Sequence, residues 1–271
     1  MPATVADKRA TFRKMHETGC FILPNPFDVG TAEALQHLGF KAIASTSAGF
    51  AWTIGKADNR VTIDDVCDHL TALCAAVDLP VNADFEGGFA DEPEEVAANV
   101  TRAVKTGVAG LSIEDSTGDK ANPLYDRALA INRIKAARAA IDADKSNVVL
   151  VGRCEAFLWG QTDLTLVIDR LSAYAEAGAD CLYAPGLKTR DEISAVVKAV
   201  YPKPVNLLIG ASGLSLNEAA ELGVRRISVG GSLARMAWSG FMRAAREMAE
   251  EGTFTELAGG YPAGELNNMF G

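Results

Sequence analysis

The chain has 271 residues, of which 48% are hydrophobic and 23% are charged, and it carries a formal charge of −9. A chain of this length can bury a large core, either as two ordinary domains or as one α/β barrel of about 250 residues. The acid excess, 35 Asp and Glu against 26 Lys and Arg, is a poor match for phosphate backbones and anionic lipid, so we expect neither nucleic acid nor a membrane as a partner.

The cysteines and histidines argue against several kinds of site. Five scattered cysteines form no CxxC pair, which is typical of reduced thiols and does not favour structural zinc. No window reaches the roughly 18 apolar residues of a membrane span, and we predict a cytoplasmic protein. The three histidines, His16, His37 and His69, fall on predicted helices, so neither a Ser-His-Asp triad nor a His-based zinc site is expected.

Short apolar runs alternate with amphipathic segments along the whole chain. An extra helix is predicted at 7–18, before the first run. Eight runs have the composition of strands that are covered on both faces, at 20–24, 41–46, 81–84, 108–115, 148–153, 180–185, 205–210 and 226–231. Helices are predicted at 31–38, 63–77, 92–106, 128–142, 163–177, 189–199, 215–222 and 232–251.

Eight strand-then-helix units indicate the fold class. No glycine fingerprint follows the first strand, which favours a (β/α)8 TIM barrel over a doubly wound dinucleotide-binding fold. We predict a single barrel domain over residues 1–271. The segment after residue 251 is loosely patterned, and it could extend the last helix, cap the barrel or reach a neighbouring subunit.

Polar side chains fall where several predicted strands end. The carboxyl ends of barrel strands meet at one mouth, and four acids arrive there from three successive units: Asp58, Asp84, Glu86 and Glu114. They would repel one another unless a cation lay between them, and Mg²⁺ is a hard cation that prefers oxygen ligands. Arg153 ends the next strand and could grip the carboxylate or phosphonate group of a small anionic substrate.

Each of these residues also has a purely structural interpretation. Asp84 and Glu86 could be a solvated strand end, Glu114 a helix cap, and Arg153 the partner of Glu155 or Asp84. Their convergence at the same end of consecutive strands favours a functional site.

Four segments together resemble one known family. NADFEGGF (82–89), LSIED (111–115), GRCEAF (152–157) and GKAD (55–58) are similar to motifs of the isocitrate lyase/phosphoenolpyruvate mutase superfamily, and the resemblance covers about residues 8–245. It implies a (β/α)8 barrel whose eighth helix, here within about 232–271, is exchanged between subunits. It therefore also implies a homo-oligomer, either a dimer or a tetramer.

The resemblance also implies roles for the residues of the mouth. Asp84 would contact Mg²⁺ directly, with Mn²⁺ as a possible substitute, while Asp58, Glu86 and Glu114 would hold the ion directly or through water. Arg153 would bind a substrate carboxylate.

Further roles are expected beside and above this metal site. Thr46 and Ser47 would cradle the 2-oxo acid, and Asn206 would orient it. Lys120, Asn122 and Tyr125 would belong to a mobile lid that excludes water and supplies an acid or a positioning group.

Departures from the family pattern bear on the choice of reaction. The stretch STGDKANPLYD (116–126) has neither the cysteine nor the histidine of the isocitrate and methylisocitrate lyases, which disfavours isocitrate lyase itself. Lys120 and Asn122 fall where phosphonopyruvate-handling members have a lysine and a gating asparagine. Against that reaction, Pro123 follows the asparagine, and YAPG (183–186) stands where mutase-like members have a histidine.

We therefore predict a Mg²⁺-dependent lyase that cleaves a C–C bond of a small 2-oxo or 2-hydroxy di- or tricarboxylic acid through a pyruvate-type enolate. The reaction would resemble that of oxaloacetate decarboxylase or of methylisocitrate and dimethylmalate lyases, with Arg153, Lys120, Asn122 and Glu114 in catalytic roles. The alternatives are a mutase or hydrolase of a phosphonopyruvate or carboxyphosphonate P–C bond, and a barrel that only binds a 2-oxo acid.

Overall fold

The computed structural model describes residues 2–210 and 213–270, which alternate between strands and helices. The strands are Phe21–Leu23 (β1), Ile43–Ala44 (β2), Val81–Ala83 (β3), Gly110–Glu114 (β4), Val149–Arg153 (β5), Cys181–Tyr183 (β6), Val205–Leu208 (β7) and Arg226–Ser228 (β8). The α-helices are Val5–Met15 (α1), Val29–His37 (α2), Ser47–Thr53 (α3), Ile63–Ala76 (α4), Pro93–Lys105 (α5), Arg127–Asp144 (α6), Leu164–Glu176 (α7), Arg190–Val200 (α8), Leu216–Glu221 (α9), Ser232–Glu250 (α10) and Ala263–Phe270 (α11). A 3₁₀ helix at Thr255–Gly259 separates the last two.

The eight strands form one sheet in the order β1-β8-β7-β6-β5-β4-β3-β2, and every registered pair is parallel. The sheet nearly closes, because the backbone N–H of Ala44 donates to the carbonyl of Pro24 at 3.0 Å. The predicted (β/α)8 barrel is thereby confirmed. The carboxyl ends of all strands face one mouth, which is where active sites of this fold lie.

The N-terminal helix α1, which matches the extra helix predicted before β1, closes the lower end of the barrel. Phe12 of α1 is fully buried and packs with Leu23 and Val149 inside the barrel. Gly110 makes room for it, since a Cβ at that position would lie 2.7 Å from Phe12 Cε1. His16 is the C-terminal capping residue of α1 and packs edge-on against Phe12 and Phe21.

Two elements differ from the sequence-based expectation. The extra helix runs from Val5 to Met15 rather than over 7–18. The helix α3 follows β2 directly and had no predicted counterpart; Thr46 caps it by accepting a hydrogen bond from Gly49 N at 3.3 Å. This cap ends the strand early and turns Ser47 towards the mouth of the barrel.

Helix α10 buries little of its surface against its own barrel. Within α10, only Ala234 is buried, whereas the large apolar residues Met236, Trp238 and Phe241 are at least 41% exposed. None of the helices in residues 2–210 and 213–270 combines the length and the hydropathy that a membrane-spanning helix requires.

Candidate active site

Asp84 is held in place at the mouth of the barrel by three neighbours. Its backbone N–H donates to Ser45 Oγ at 2.9 Å, and its Oδ2 accepts from the backbone N–H of Ser47 at 3.0 Å. Its Oδ1 accepts from Arg153 Nη1 at 3.1 Å. The carboxylate is thus fixed between the loop after β2 and the end of β5, which is the orientation that a ligand of a small site requires.

Arg153, the last residue of β5, lies at the centre of the acids. It forms ion pairs with Asp84, with Glu114 at 3.4 Å and with Glu155, and its guanidinium lies 5.1 Å from the centre of the Tyr183 ring. Burial lowers the pKa of Arg153, but attraction to the surrounding carboxylates outweighs burial and holds that pKa well above its usual value. Arg153 is therefore a permanent cation within an acidic cluster.

Glu86 differs from the other acids in having a buried carboxylate oxygen without a hydrogen-bond partner among the described residues. This oxygen is Oε1, and the backbone of Glu86 adopts a left-handed conformation (φ 46°). Burial raises its pKa to about 8, and the negative charges of Asp84 and Asp58 add to the rise. Such a group favours either a bound proton or a bound cation.

The other two acids experience the same crowding. Burial raises the pKa of Glu114 well above its usual value, and the nearby carboxylates reinforce this against the opposing effect of Arg153. Asp58 lies on the loop after α3, and desolvation followed by repulsion from Asp84 raises its pKa as well. Within the described ranges, no three acidic, histidine or cysteine side chains converge into a ready metal-binding group. An orphaned carboxylate oxygen among mutually repelling acids is nevertheless a donor set that suits a hard divalent cation.

The raised pKa of Glu86 predicts a pH-dependent stability for the metal-free protein. Between the ordinary value of 4.5 and the folded value of about 8, the folded chain retains a proton that the unfolded chain has released. The free energy of unfolding therefore falls as the pH rises, by up to about 1.4 kcal/mol per pH unit for one such group. We expect Glu86→Gln to remove this part of the slope in urea denaturation with EDTA present. Parallel pH profiles for the two proteins would contradict this account.

Two cavities open between these residues. The inner cavity, of about 180 Å³, lies inside the barrel mouth, and the predicted substrate residues Thr46, Ser47 and Asn206 all line it together with Asp84 and Arg153. The outer cavity, of about 540 Å³, lies above it and is lined by the acids Asp58, Glu86 and Glu114, by Arg153, and by Phe89, Tyr125, Leu158 and Trp159. The structure thus brings together the four predicted metal acids, Arg153 and the predicted substrate residues.

Of the three predicted lid residues, Tyr125 lines a cavity, whereas Lys120 and Asn122 do not. The segment after β4 folds back through an antiparallel bridge between Ser116 and Leu124, and Trp159 Nε1 donates to Ser116 Oγ at 3.0 Å. Lys120 and Asn122 lie at the exposed tip of this segment and line neither cavity. Tyr125, at its base, lines the outer cavity and donates its hydroxyl to Asp91.

A buried network beneath this segment had no assigned role in the sequence. Asp115 Oδ2 accepts from the Tyr174 hydroxyl at 2.6 Å and from Arg170 Nη1 at 3.2 Å, while Asp115 Oδ1 accepts from the backbone N–H of Glu155 at 2.8 Å. Arg170 also donates to the carbonyl of Tyr125 at 3.0 Å. The network ties both ends of the outer cavity to α7. Arg170 and Tyr174 are four positions apart on that helix, which is the only sequence signal for it.

Removing one hydroxyl from this network tests whether it positions the site. We expect Tyr174→Phe to lower the free energy of unfolding by about 1.5–3 kcal/mol, because Asp115 loses a buried charged hydrogen bond. Asp115 then holds the backbone of Glu155 less firmly, and Glu155 in turn holds Arg153 less firmly. We therefore expect the KM for an anionic substrate to rise more than kcat falls. The exposed Tyr201→Phe is the matched control. A Tyr174→Phe protein with lowered stability and unchanged KM would show a purely structural role.

Known proteins resemble this chain over most of its length. The family profile described as phosphoenolpyruvate phosphomutase matches residues 12–249. The oxaloacetate decarboxylase of Rhodopseudomonas palustris (strain ATCC BAA-98 / CGA009) is 30% identical over 236 residues, which cover 82% of this chain and 77% of that protein.

Solved structures show the same likeness. A protein from Burkholderia cenocepacia J2315, provisionally assigned as a lyase or mutase, superposes with a TM-score of 0.95 at 47% identity, covering 98% of this chain and 97% of its own. The 2,3-dimethylmalate lyase, a PEP mutase/isocitrate lyase superfamily member, reaches a TM-score of 0.86 at 26% identity, covering 99% of this chain and 95% of its own. Because the profile covers most of the chain and the relatives share its barrel fold, the chain belongs to the phosphoenolpyruvate phosphomutase family within the PEP mutase/isocitrate lyase superfamily.

Proposed function

We propose that the protein is a Mg²⁺-dependent lyase that cleaves a C–C bond beside the 2-oxo or 2-hydroxy group of a small di- or tricarboxylic acid. The observation that carries the proposal is the pairing, at one barrel mouth, of crowded acids with a central arginine. Glu86 Oε1 in particular is buried without a partner. The named activities of the oxaloacetate decarboxylase and dimethylmalate lyase relatives support the same reaction class.

The residues of the mouth divide between metal and substrate. Asp84, Asp58, Glu86 and Glu114 would hold Mg²⁺, or Mn²⁺ in its place. When bound, the cation stabilises the negative charge that develops on the 2-oxo oxygen. Arg153 would hold the substrate carboxylate, because its guanidinium reaches both cavities.

The remaining residues position the substrate and exclude water. Thr46, Ser47 and Asn206 line the narrow inner cavity and would orient the 2-oxo acid there. We propose that Lys120 and Asn122 act when the 116–125 segment folds over the outer cavity, since both are exposed in the present arrangement. Decarboxylation of an oxaloacetate-like acid suits this set of residues, because loss of CO₂ needs an electron sink rather than a strong base.

Phosphorus–carbon bond chemistry is the second candidate, because the matching family profile is that of a phosphomutase. A phosphonate carries more charge than a carboxylate and needs several cations around it. Among the described residues that line the outer cavity, Arg153 is the sole cation, and it already faces three carboxylates. In the observed arrangement, with Lys120 outside the cavity, this charge balance favours carbon–carbon cleavage.

A substrate panel separates these functions. Purified protein with Mg²⁺ is incubated with oxaloacetate, 2-methylisocitrate, 2,3-dimethylmalate and phosphonopyruvate, while pyruvate-type products, phosphoenolpyruvate and inorganic phosphate are measured. We expect product release from one of the first three, and neither phosphoenolpyruvate nor phosphate from phosphonopyruvate. Formation of phosphoenolpyruvate (a mutase) or of phosphate (a hydrolase) would refute carbon–carbon cleavage. Binding heat without any turnover would indicate a barrel that only binds a 2-oxo acid.

We also propose that the partner of α10 is a second copy of this chain. The groove between α3 and α10 carries Trp52 and Trp238 beside Arg235 and Arg246, while the C-terminal end of α10 is acidic, with Glu250 and the capping residue Glu251. A neighbouring subunit could therefore supply both an apolar face and the opposite charge. We expect light scattering to report a dimer or tetramer, and Trp238→Glu to shift it towards monomer. A wild-type monomer would refute helix exchange.

A further inference from the structure

A second arginine lies deep inside the barrel, below the acid cluster. Arg226 begins β8 and is 3% exposed. Its Nε donates to Asn206 Oδ1 at 2.8 Å, and its Nη1 reaches Asn82 Oδ1 on β3 at 3.2 Å. His16 Nε2 lies 3.4 Å from the same Nη1. The guanidinium therefore extends from β8 towards β3 across the interior.

The partners of Arg226 carry no negative charge. Among the described residues, no carboxylate forms an ion pair with it, whereas Arg153 has three such partners. Burial, followed by repulsion from Arg226, lowers the pKa of His16 to about 3, so that ring is neutral at physiological pH. Burial lowers the pKa of Arg226 too, but a guanidinium stays protonated in proteins. One unbalanced positive charge remains in the barrel interior, which is costly unless an anion accompanies it.

The inner cavity lies directly against this charge. Arg226 lines it together with Asn206 and the hydroxyl-bearing Ser112 and Ser228. The hydrogen bonds of Arg226 to described residues use Nε and Nη1, which leaves the Nη2 donors for a ligand. The volume, about 180 Å³, is below the roughly 300 Å³ of sites for drug-sized ligands, and it suits one small group.

We propose that the floor of the inner cavity is an anion subsite, in which Arg226 binds one carboxylate-sized anion with the hydroxyls of Ser112 and Ser228 as further donors. The bound anion is the counter-charge of Arg226. It lies below the acid cluster, where Asp84 is already paired with Arg153. The anion is either a carboxylate of the substrate or a small free anion; the chemistry of recognition is the same.

The variants that test this subsite change the charge at Arg226 in two ways. Arg226→Gln removes the cation, whereas Asn206→Asp keeps it and places a carboxylate against its Nε. Ser228, which now accepts from Asn206 Nδ2 at 2.9 Å, can rotate its hydroxyl to donate to the new carboxylate. Asn206→Asp can therefore still test the anion subsite if Arg226→Gln fails to fold. Arg225→Gln is the matched control, because this neighbouring arginine donates to the carbonyl of Gly19 and lines neither cavity.

The measurement is calorimetric titration of the full-length protein with sodium formate at constant ionic strength and without Mg²⁺. We expect wild type and Arg225→Gln to bind formate with affinities within twofold of each other. Arg226→Gln and Asn206→Asp are expected to bind it at least tenfold more weakly, with folding verified by circular dichroism. Absence of formate binding by wild type, or equal binding by folded Asn206→Asp, would overturn the subsite.

A second titration identifies the source of the anion. Oxalate, a planar dianion that resembles a pyruvate enolate, is titrated with and without saturating formate. Competition assigns the subsite to a carboxylate of the substrate, and simultaneous binding assigns it to a free anion; both outcomes require the subsite. Because no turnover is measured, failure of the proposed lyase activity would leave this result unaffected.

Discussion

Replacing Asp84 with asparagine is expected to lower the Mg²⁺-dependent turnover by about 10²–10³-fold or more, the range seen when one electrostatic group is removed from a catalytic site. The amide has nearly the same shape but only one acceptor oxygen, so it can keep the hydrogen bond from Ser47 or the one from Arg153, and one negative charge disappears. The affinity for Mg²⁺ should fall in parallel, as measured by initial rates across a Mg²⁺ titration.

Asp64→Asn is the control for this variant. Asp64 lies on α4, its side chain is 78% exposed, and it pairs with the surface residue Arg102. The same change of charge there should leave turnover within twofold of wild type. If Asp84→Asn retained full Mg²⁺-dependent activity, the acid cluster at the barrel mouth could not be the metal site.

Arg153→Gln is expected to affect both stability and binding. The side chain of Arg153 is 15% exposed, and its loss leaves Asp84, Glu114 and Glu155 close together without their cation. Breaking a buried ion pair from one side costs about 3–5 kcal/mol, so we expect a loss of this order in urea denaturation at pH 7. The loss should shrink as the pH falls, because the stranded carboxylates regain protons.

Two companion variants separate charge from geometry at this position. Arg127→Gln removes an exposed pair with Asp169 and should cost no more than about 1 kcal/mol. Arg153→Lys should recover part of the stability but not the KM, because an ammonium cannot bind a carboxylate with two parallel hydrogen bonds. Equal stability of Arg153→Gln and Arg127→Gln would show that the carboxylates do not depend on Arg153.

Much of the fold could be predicted because the barrel repeats one local pattern. Most strands are apolar runs, and most helices begin at a capping residue such as Thr62, whose side chain accepts from Asp65 N. The topology rule for parallel barrels then places Asp84, Glu114 and Arg153 at one mouth without any knowledge of loop structure.

The remaining features depend on interactions that a linear pattern does not specify. Arg226 begins a short strand whose sequence does not reveal which groups surround its charge. Those neighbours are set by the register of the sheet, which aligns Arg153, Tyr183, Asn206 and Arg226 across four strands. The exposure of Lys120 depends on the conformation of a loop. The left-handed backbone of Glu86 results from the turn after β3, where non-glycine residues rarely adopt a positive φ.

The most direct test of the proposed lyase is the release of pyruvate from oxaloacetate by wild type in three states of one preparation: as purified with Mg²⁺, after EDTA, and after Mg²⁺ is restored. Spontaneous decarboxylation by Mg²⁺ alone is subtracted, and Asp84→Asn is carried through the same steps. The proposed mechanism predicts activity that is lost with EDTA and returns with Mg²⁺, and that is at least about 10²-fold lower in the variant when Mg²⁺ is present. Pyruvate release that persists in EDTA, or that Asp84→Asn retains, would contradict it.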